Sequence, residues 1–174
     1  MNQRDRNYLL LQCCIGPAIV NVVINAGLGW AATRTLAVVP LWGVPGVAGD
    51  LAGTAFGVTF GTCLGMVLQI KRDLAHGKIG PLDAPPGMAS LVARFPAGTL
   101  ARSVVLGAVS IPLFAVPVIA VLAVVGVGAM GRGTFIELKA LFAALEAAVV
   151  APPLAVAALG SALRTRPATA QIVS

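Results

Sequence analysis

The chain has 174 residues, of which 58% are hydrophobic and only 10% charged. Soluble domains carry about 25% charged residues, so the composition excludes an ordinary water-soluble enzyme or binding module and points to an all-α integral membrane protein. The formal charge of +6 does not imply nucleic acid, because the basic residues gather at the ends of apolar runs, where they set orientation across a bilayer.

A helix of about 20 residues crosses the ~30 Å hydrocarbon layer, and four runs are long enough. The first extends from Tyr8 to Ala32. Arg4 and Arg6 before it imitate a secretory signal, but the apolar stretch is too long for one. Asn21 and Asn25 stand one turn apart on it, so their amides share a face. Cys13, Cys14 and, later, Cys63 fall inside apolar runs without metal or CxxC spacing, and read as small packing residues. Leu10-Leu11-Gln12-Cys13 is a poor lipoprotein box. Trp30 and Trp42 suit the outer headgroup level, and Leu36–Gly46 reads as a compact turn around Pro40 and Pro45.

The second span, Val47 to Ile70, begins beside Asp50 and holds Gly49, Gly53, Gly57, Gly61 and Gly65 at an unbroken spacing of four. In water each interior glycine costs roughly 1 kcal/mol relative to alanine. In a bilayer the missing side chains let another helix approach closely, as in a glycine zipper. A spacing of four advances the stripe by about 40° per step, so a straight neighbour cannot follow it. Either a partner crosses at about −40° or two neighbours share it.

The connection from Lys71 to Arg102 holds most of the water-facing sequence. A helix end is expected before Gly77, and Pro81, Pro85 and Pro86 break regular structure. An amphipathic helix over 88–102 suits the membrane surface, with partner binding as its alternative. His76, the only histidine, reads as a solvated loop residue and excludes a metal site built on histidines.

The third span, Ser103 to Met130, has no charge. The fourth, Phe135 to Leu163, carries Lys139 and Glu146 on one face, and Pro152 and Pro153 should bend it. Ala143, Ala147, Ala151 and Ala155 repeat at a spacing of four, which makes this span the simplest partner for the glycine ladder. A homo-oligomer built through the ladder is the rival.

Nine basic residues (Arg4, Arg6, Lys71, Arg72, Lys78, Arg94, Arg102, Arg164, Arg166) fall on one side, against Arg34, Arg132 and Lys139 on the other. The positive-inside rule places both termini and the long loop in the cytoplasm. Asn21, Asn25, Asp50, Lys139 and Glu146 then share the outer half of the bilayer. Buried ionisable groups usually face a protein interior or a water cavity, so one polar cluster is expected. It either ties helices together or binds a cation, a proton or a small polar ligand, with Glu146 as the deepest group.

No phosphate loop, serine nucleophile motif or histidine dyad is present, and neither an enzyme nor a cofactor is expected. At Asn25, Val39-Pro40-Leu41-Trp42-Gly43, Asp50 and Thr54-Ala55-Phe56 the chain resembles a group of small four-span bacterial membrane proteins. That resemblance implies a bacterial inner-membrane setting and no reaction. The lone Glu146 also resembles small multidrug exporters, but those carry their glutamate in the first span, where this chain has asparagines. Two functions are expected to compete. One is non-catalytic association, as a homo-oligomer or with a membrane protein partner. The other is a small oligomeric transporter or channel around Glu146 and Asp50.

Overall fold

A computed structural model describes residues 15–76 and 98–164, and they are mostly helical. Helix α1 spans Gly16–Ala32, strand β1 Val38–Pro40 and helix α2 Val47–Ala75. Then follow α3 Thr99–Ser110, a π-helical turn Ile111–Ala115, α4 Val116–Val124, strand β2 Ala129–Gly131 and α5 Arg132–Arg164. The π turn joins α3 to α4, so four helical segments stand on the four apolar runs. Two stretches, Val47–Ile70 and Thr99–Val124, with 24 and 26 residues, are long and apolar enough to cross a membrane. The expected beginning of the first span at Tyr8, both Cys13 and Cys14, and the interfacial helix over 88–97 lie outside the described residues.

Local chemistry explains the helix ends. Pro17 sits at the first helical positions of α1, where a missing N–H costs nothing. Asp50 in the first turn of α2 and Arg72 in its last turn complement the helix dipole. The third run is expected to stay helical to Met130, but helix stops at Val124. Gly126 takes φ +80°; its N–H reaches the Ala123 carbonyl and that of Val127 reaches Leu122. This pair of bonds is a Schellman cap, which needs a left-handed residue that glycine supplies without strain. At the other end, Gly98 is extended and the helix begins at Thr99. Arg102 therefore belongs to α3, a correction to its place in a surface helix. The π turn contains Pro112, whose ring and missing N–H disfavour regular α geometry. By contrast, α5 continues as helix through Pro152 and Pro153.

A short antiparallel ribbon modifies the all-helical expectation. Val38, Val39 and Pro40 pair with Gly131, Met130 and Ala129. The Leu41 N–H extends the pairing to the Gly128 carbonyl at 2.8 Å, and Arg132 N–H to Ala37 at 3.1 Å. Three-residue strands carry too little alternation to announce themselves in sequence. The ribbon folds Val39 and Leu41 into a core with Val47, Leu51, Ala55, Ala115, Phe135 and Phe142.

Helix α5 is the shared support: α1 and α2 both lie along it, α2 also packs on α3, and α1 and α2 barely touch each other. At Gly107 α3 comes close against α2. A Cβ there would stand 2.9 Å from Phe56 Cδ2 and 3.1 Å from the Phe56 carbonyl oxygen. The Ser110 hydroxyl, one turn on, reaches the Ala55 carbonyl at 2.7 Å. Gly107→Ala must push the two helices apart, and should destabilise the detergent-solubilised protein by about 1–3 kcal/mol, read as a lowered thermal midpoint.

Candidate functional site

Because α1 and α2 lean on α5 without closing on each other, a groove of about 690 Å³ remains between them. Its wall on α2 consists of two adjacent rows. One is the glycine ladder; the other is Asp50, Thr54, Val58, Thr62 and Met66, each one residue further on. Asn21 and Asn25 line it from α1, and Lys139 from α5. Four of the five residues expected in one polar cluster thus share this groove.

All five ladder glycines are exposed, and a Cβ added at any of them meets no atom within 4 Å. The expectation that the ladder interlocks with the alanine row of the fourth span is therefore overturned within the chain. The alanines are covered as expected: Ala143, Ala147, Ala151 and Ala155 are all fully buried. Ala143 and Ala147, however, cluster with Val58, the neighbour of Gly57. One residue is about 100° of helix, enough to turn the ladder from α5 into the groove.

Lys139 Nζ lies 2.7 Å from both Asp50 carboxylate oxygens. The lysine side chain is 6% exposed and the aspartate 23%, so the pair is largely removed from solvent at the wall of the groove. Gly29 lets the lysine stem pass beneath α1, since a Cβ there would stand 3.2 Å from Lys139 Cδ. Among the described residues the asparagines do not bridge helices through their amide N–H groups. Asn21 Nδ2 donates to the Pro17 carbonyl and Asn25 Nδ2 to that of Asn21, at 2.9 and 3.0 Å. Both bonds stay inside α1, which corrects their reading as glue between helices.

Glu146 does not belong to the groove. It is 2% exposed, and its Oε1 accepts the Thr59 hydroxyl at 2.8 Å. Its Oε2 has no hydrogen-bond partner among the described residues. The separation has a geometric cause. Lys139 and Glu146 share a face of α5, but their partners on α2, Asp50 and Thr59, are nine residues apart, about half a turn around that helix. The two polar contacts therefore clasp α2 from opposite flanks. Glu146→Ala, which opens a cavity and orphans Thr59, should cost about 2–4 kcal/mol. Glu146→Gln keeps an acceptor oxygen and should cost less than about 1 kcal/mol; unfolding in mixed detergent micelles separates the two.

Thr54, one turn deeper than Asp50 beside the ladder, and Thr62 stand outside the expected cluster, yet both line the groove. They are 5% and 8% exposed, and neither hydroxyl has a hydrogen-bond partner among the described residues. Their spacing of eight on the row beside the ladder is visible in the sequence. Which flank stays uncovered is not. Among the described residues no three His, Cys, Asp or Glu side chains gather as metal ligands. His76 is exposed at the end of α2, its Nδ1 2.7 Å from the Arg72 carbonyl.

The fold and site define a mostly helical protein with two segments able to cross a membrane and a groove open along one of them. No protein-family model, curated protein or solved structure matches the chain.

Proposed function

We propose that the chain is a non-catalytic integral membrane protein of a bacterial inner membrane and works by association through the groove between α1 and α2. In this reading it crosses the membrane four times, with both termini and the loop after α2 in the cytoplasm. The basic residues of that loop support the orientation. Large apolar side chains on the outside, among them Val23, Leu113 and Val149 at 60% exposure or more, suit a hydrocarbon surrounding and not water.

The observation that carries the association reading is the open ladder. Five glycines one turn apart weaken a helix unless something uses the space they leave, and nothing in the described chain does so. A transmembrane helix from another polypeptide fits, because small residues permit the close backbone approach that drives helix pairing in lipid. Gly57→Leu tests this: the variant should fold, yet migrate in mild detergent as a smaller complex than the parent.

One observation favours a transporter or channel as the second reading. The Asp50–Lys139 pair lies on the groove wall, with Asp50 partly exposed, as a site for a polar solute would. Glu146 lies outside that groove, so the coupling group would be Asp50. Asp50→Asn combined with Lys139→Met, which strands neither charge, should then abolish solute or proton flux in proteoliposomes, whereas under association it leaves complex size intact.

A further inference from the structure

We infer that Glu146 is a proton-binding site inside the helix bundle: at neutral pH its side chain is a neutral carboxylic acid, with the proton on Oε2 and Oε1 accepting the Thr59 hydroxyl. This site lies outside the groove and is independent of association.

A count of hydrogen-bond donors decides the charge state. An ionised carboxylate only accepts, with about four lone-pair sites, and out of water it needs donors or a cation to offset the lost hydration. Glu146 is 2% exposed and has one donor, the Thr59 hydroxyl at 2.8 Å from Oε1. Oε2 is buried without a hydrogen-bond partner among the described residues. Ser110 of α3 stands beside the carboxyl, but its single hydrogen is committed to the Ala55 or the Gly107 carbonyl, each at 2.7 Å. What it can still offer the acid is an acceptor. The Thr62 hydroxyl, three residues beyond Thr59, is itself unbonded and so supplies no donor to the carboxyl.

No cation compensates either. Lys139 is seven residues away on α5, about 10 Å of helix, and both Asp50 oxygens hold its Nζ at 2.7 Å. The other charged residues on the surrounding helices stand further off along the chain. On α2, Asp50 is nine residues from Thr59, and Lys71, Arg72 and Asp73 are at least twelve. On α3, Arg102 is eight residues from Ser110. On α5, Glu137 is nine residues from Glu146, and Arg132 and Arg164 are at least fourteen. Helices α1 and α4 carry no charge. Among the described residues Glu146 forms no ion pair.

A buried charge with one hydrogen bond and no countercharge is so costly that the group takes up a proton instead. With the proton on Oε2, Oε1 becomes the carbonyl oxygen, the better acceptor of the two, and it is the atom bonded to Thr59. A single O–H left without a partner costs less than a stranded charge. The neutral acid also suits its surroundings, since Val58, Ala143 and Ala147 form a buried apolar cluster beside Thr59 and Glu146. With so little of the residue exposed, the proton reaches water only when α2 and α5 part.

Infrared spectroscopy reads this proton directly. The chain has two glutamates, Glu137 and Glu146, so cell-free synthesis with glutamate isotope-labelled at its side-chain carboxyl marks these two groups alone. In the full-length protein, in phosphatidylethanolamine–phosphatidylglycerol vesicles at neutral pH, the label should show the C=O band of a carboxylic acid. Glu137→Gln should keep that band and Glu146→Gln should lose it. Because Glu137→Gln leaves one labelled carboxyl, the assignment holds even where Glu146→Gln does not fold. Thr59→Val should retain the acid and move its band to higher frequency, since Oε1 loses the hydroxyl. A label present only as carboxylate in Glu137→Gln overturns the inference, as does an acid band that disappears with Glu137. A Thr59→Val band at the parent frequency also overturns it, because the acid observed would not be the one bonded to Thr59.

Discussion

Lys139→Met lowers stability by about 3 kcal/mol, and adding Asp50→Asn to the same chain restores most of the loss. Removing the lysine leaves the Asp50 carboxylate without its cation, although it is only 23% exposed. Stranding one member of a buried pair costs about 3–5 kcal/mol, while replacing both members by neutral groups is often close to neutral. The low end applies because Asp50 keeps some solvent and sits in the first turn of α2, where the helix dipole favours an anion. The double variant removes both charges and leaves a neutral amide at position 50 that can still hydrogen-bond. Stability in detergent, followed by helical circular dichroism during unfolding, gives the cycle. A single-variant loss below about 1 kcal/mol would mean that the pair behaves as a surface ion pair, and that solvent reaches the groove wall.

Gly57→Leu and Gly107→Leu should have opposite outcomes although both glycines lie in apolar helices. At Gly57 a side chain enters open space, so the isolated chain should be as stable as the parent or more stable by up to about 1 kcal/mol, the helix-propensity gain. If the proposed association holds, it should fall at least tenfold, since the leucine occupies the open ladder surface on which that proposal rests. At Gly107 even a Cβ meets Phe56 at 2.9 Å, and leucine should cost about 3 kcal/mol or more, the upper range for overpacking. Thermal midpoint and sedimentation in detergent, measured on both variants, separate the effects. Loss of stability at Gly57 would mean that the ladder is packed inside the chain after all.

Much of the fold was legible because the signals are local. Runs of apolar residues announce the helical segments, and the α2 start at Val47 agrees to the residue. The alanine row reads as a buried face, and Asn21, Asn25, Asp50 and Lys139 as neighbours. Other features escape the sequence for equally local reasons. The Gly126 cap needs a positive φ that one glycine among 20 does not advertise. The strand pair joins segments ninety residues apart, and each strand is three residues long. Glu146 is expected beside Lys139 because they share a face of α5, but their contacts depend on how α2 is rotated beneath that face.

The sequence by itself determined the helices and the two parallel rows along α2. These follow from spacing at 3.6 residues per turn and need no neighbour. Tertiary structure alone decided which row is covered. Val58 meets the alanines of α5, Gly107 seats Phe56 on the other flank, and the ladder is left facing the gap to α1. A shift of one residue turns a helix face by about 100°, so the choice between a packed ladder and an open one rests on the rotation of α2 against α5. Buried contacts at Asp50–Lys139 and Thr59–Glu146 hold that rotation from both flanks.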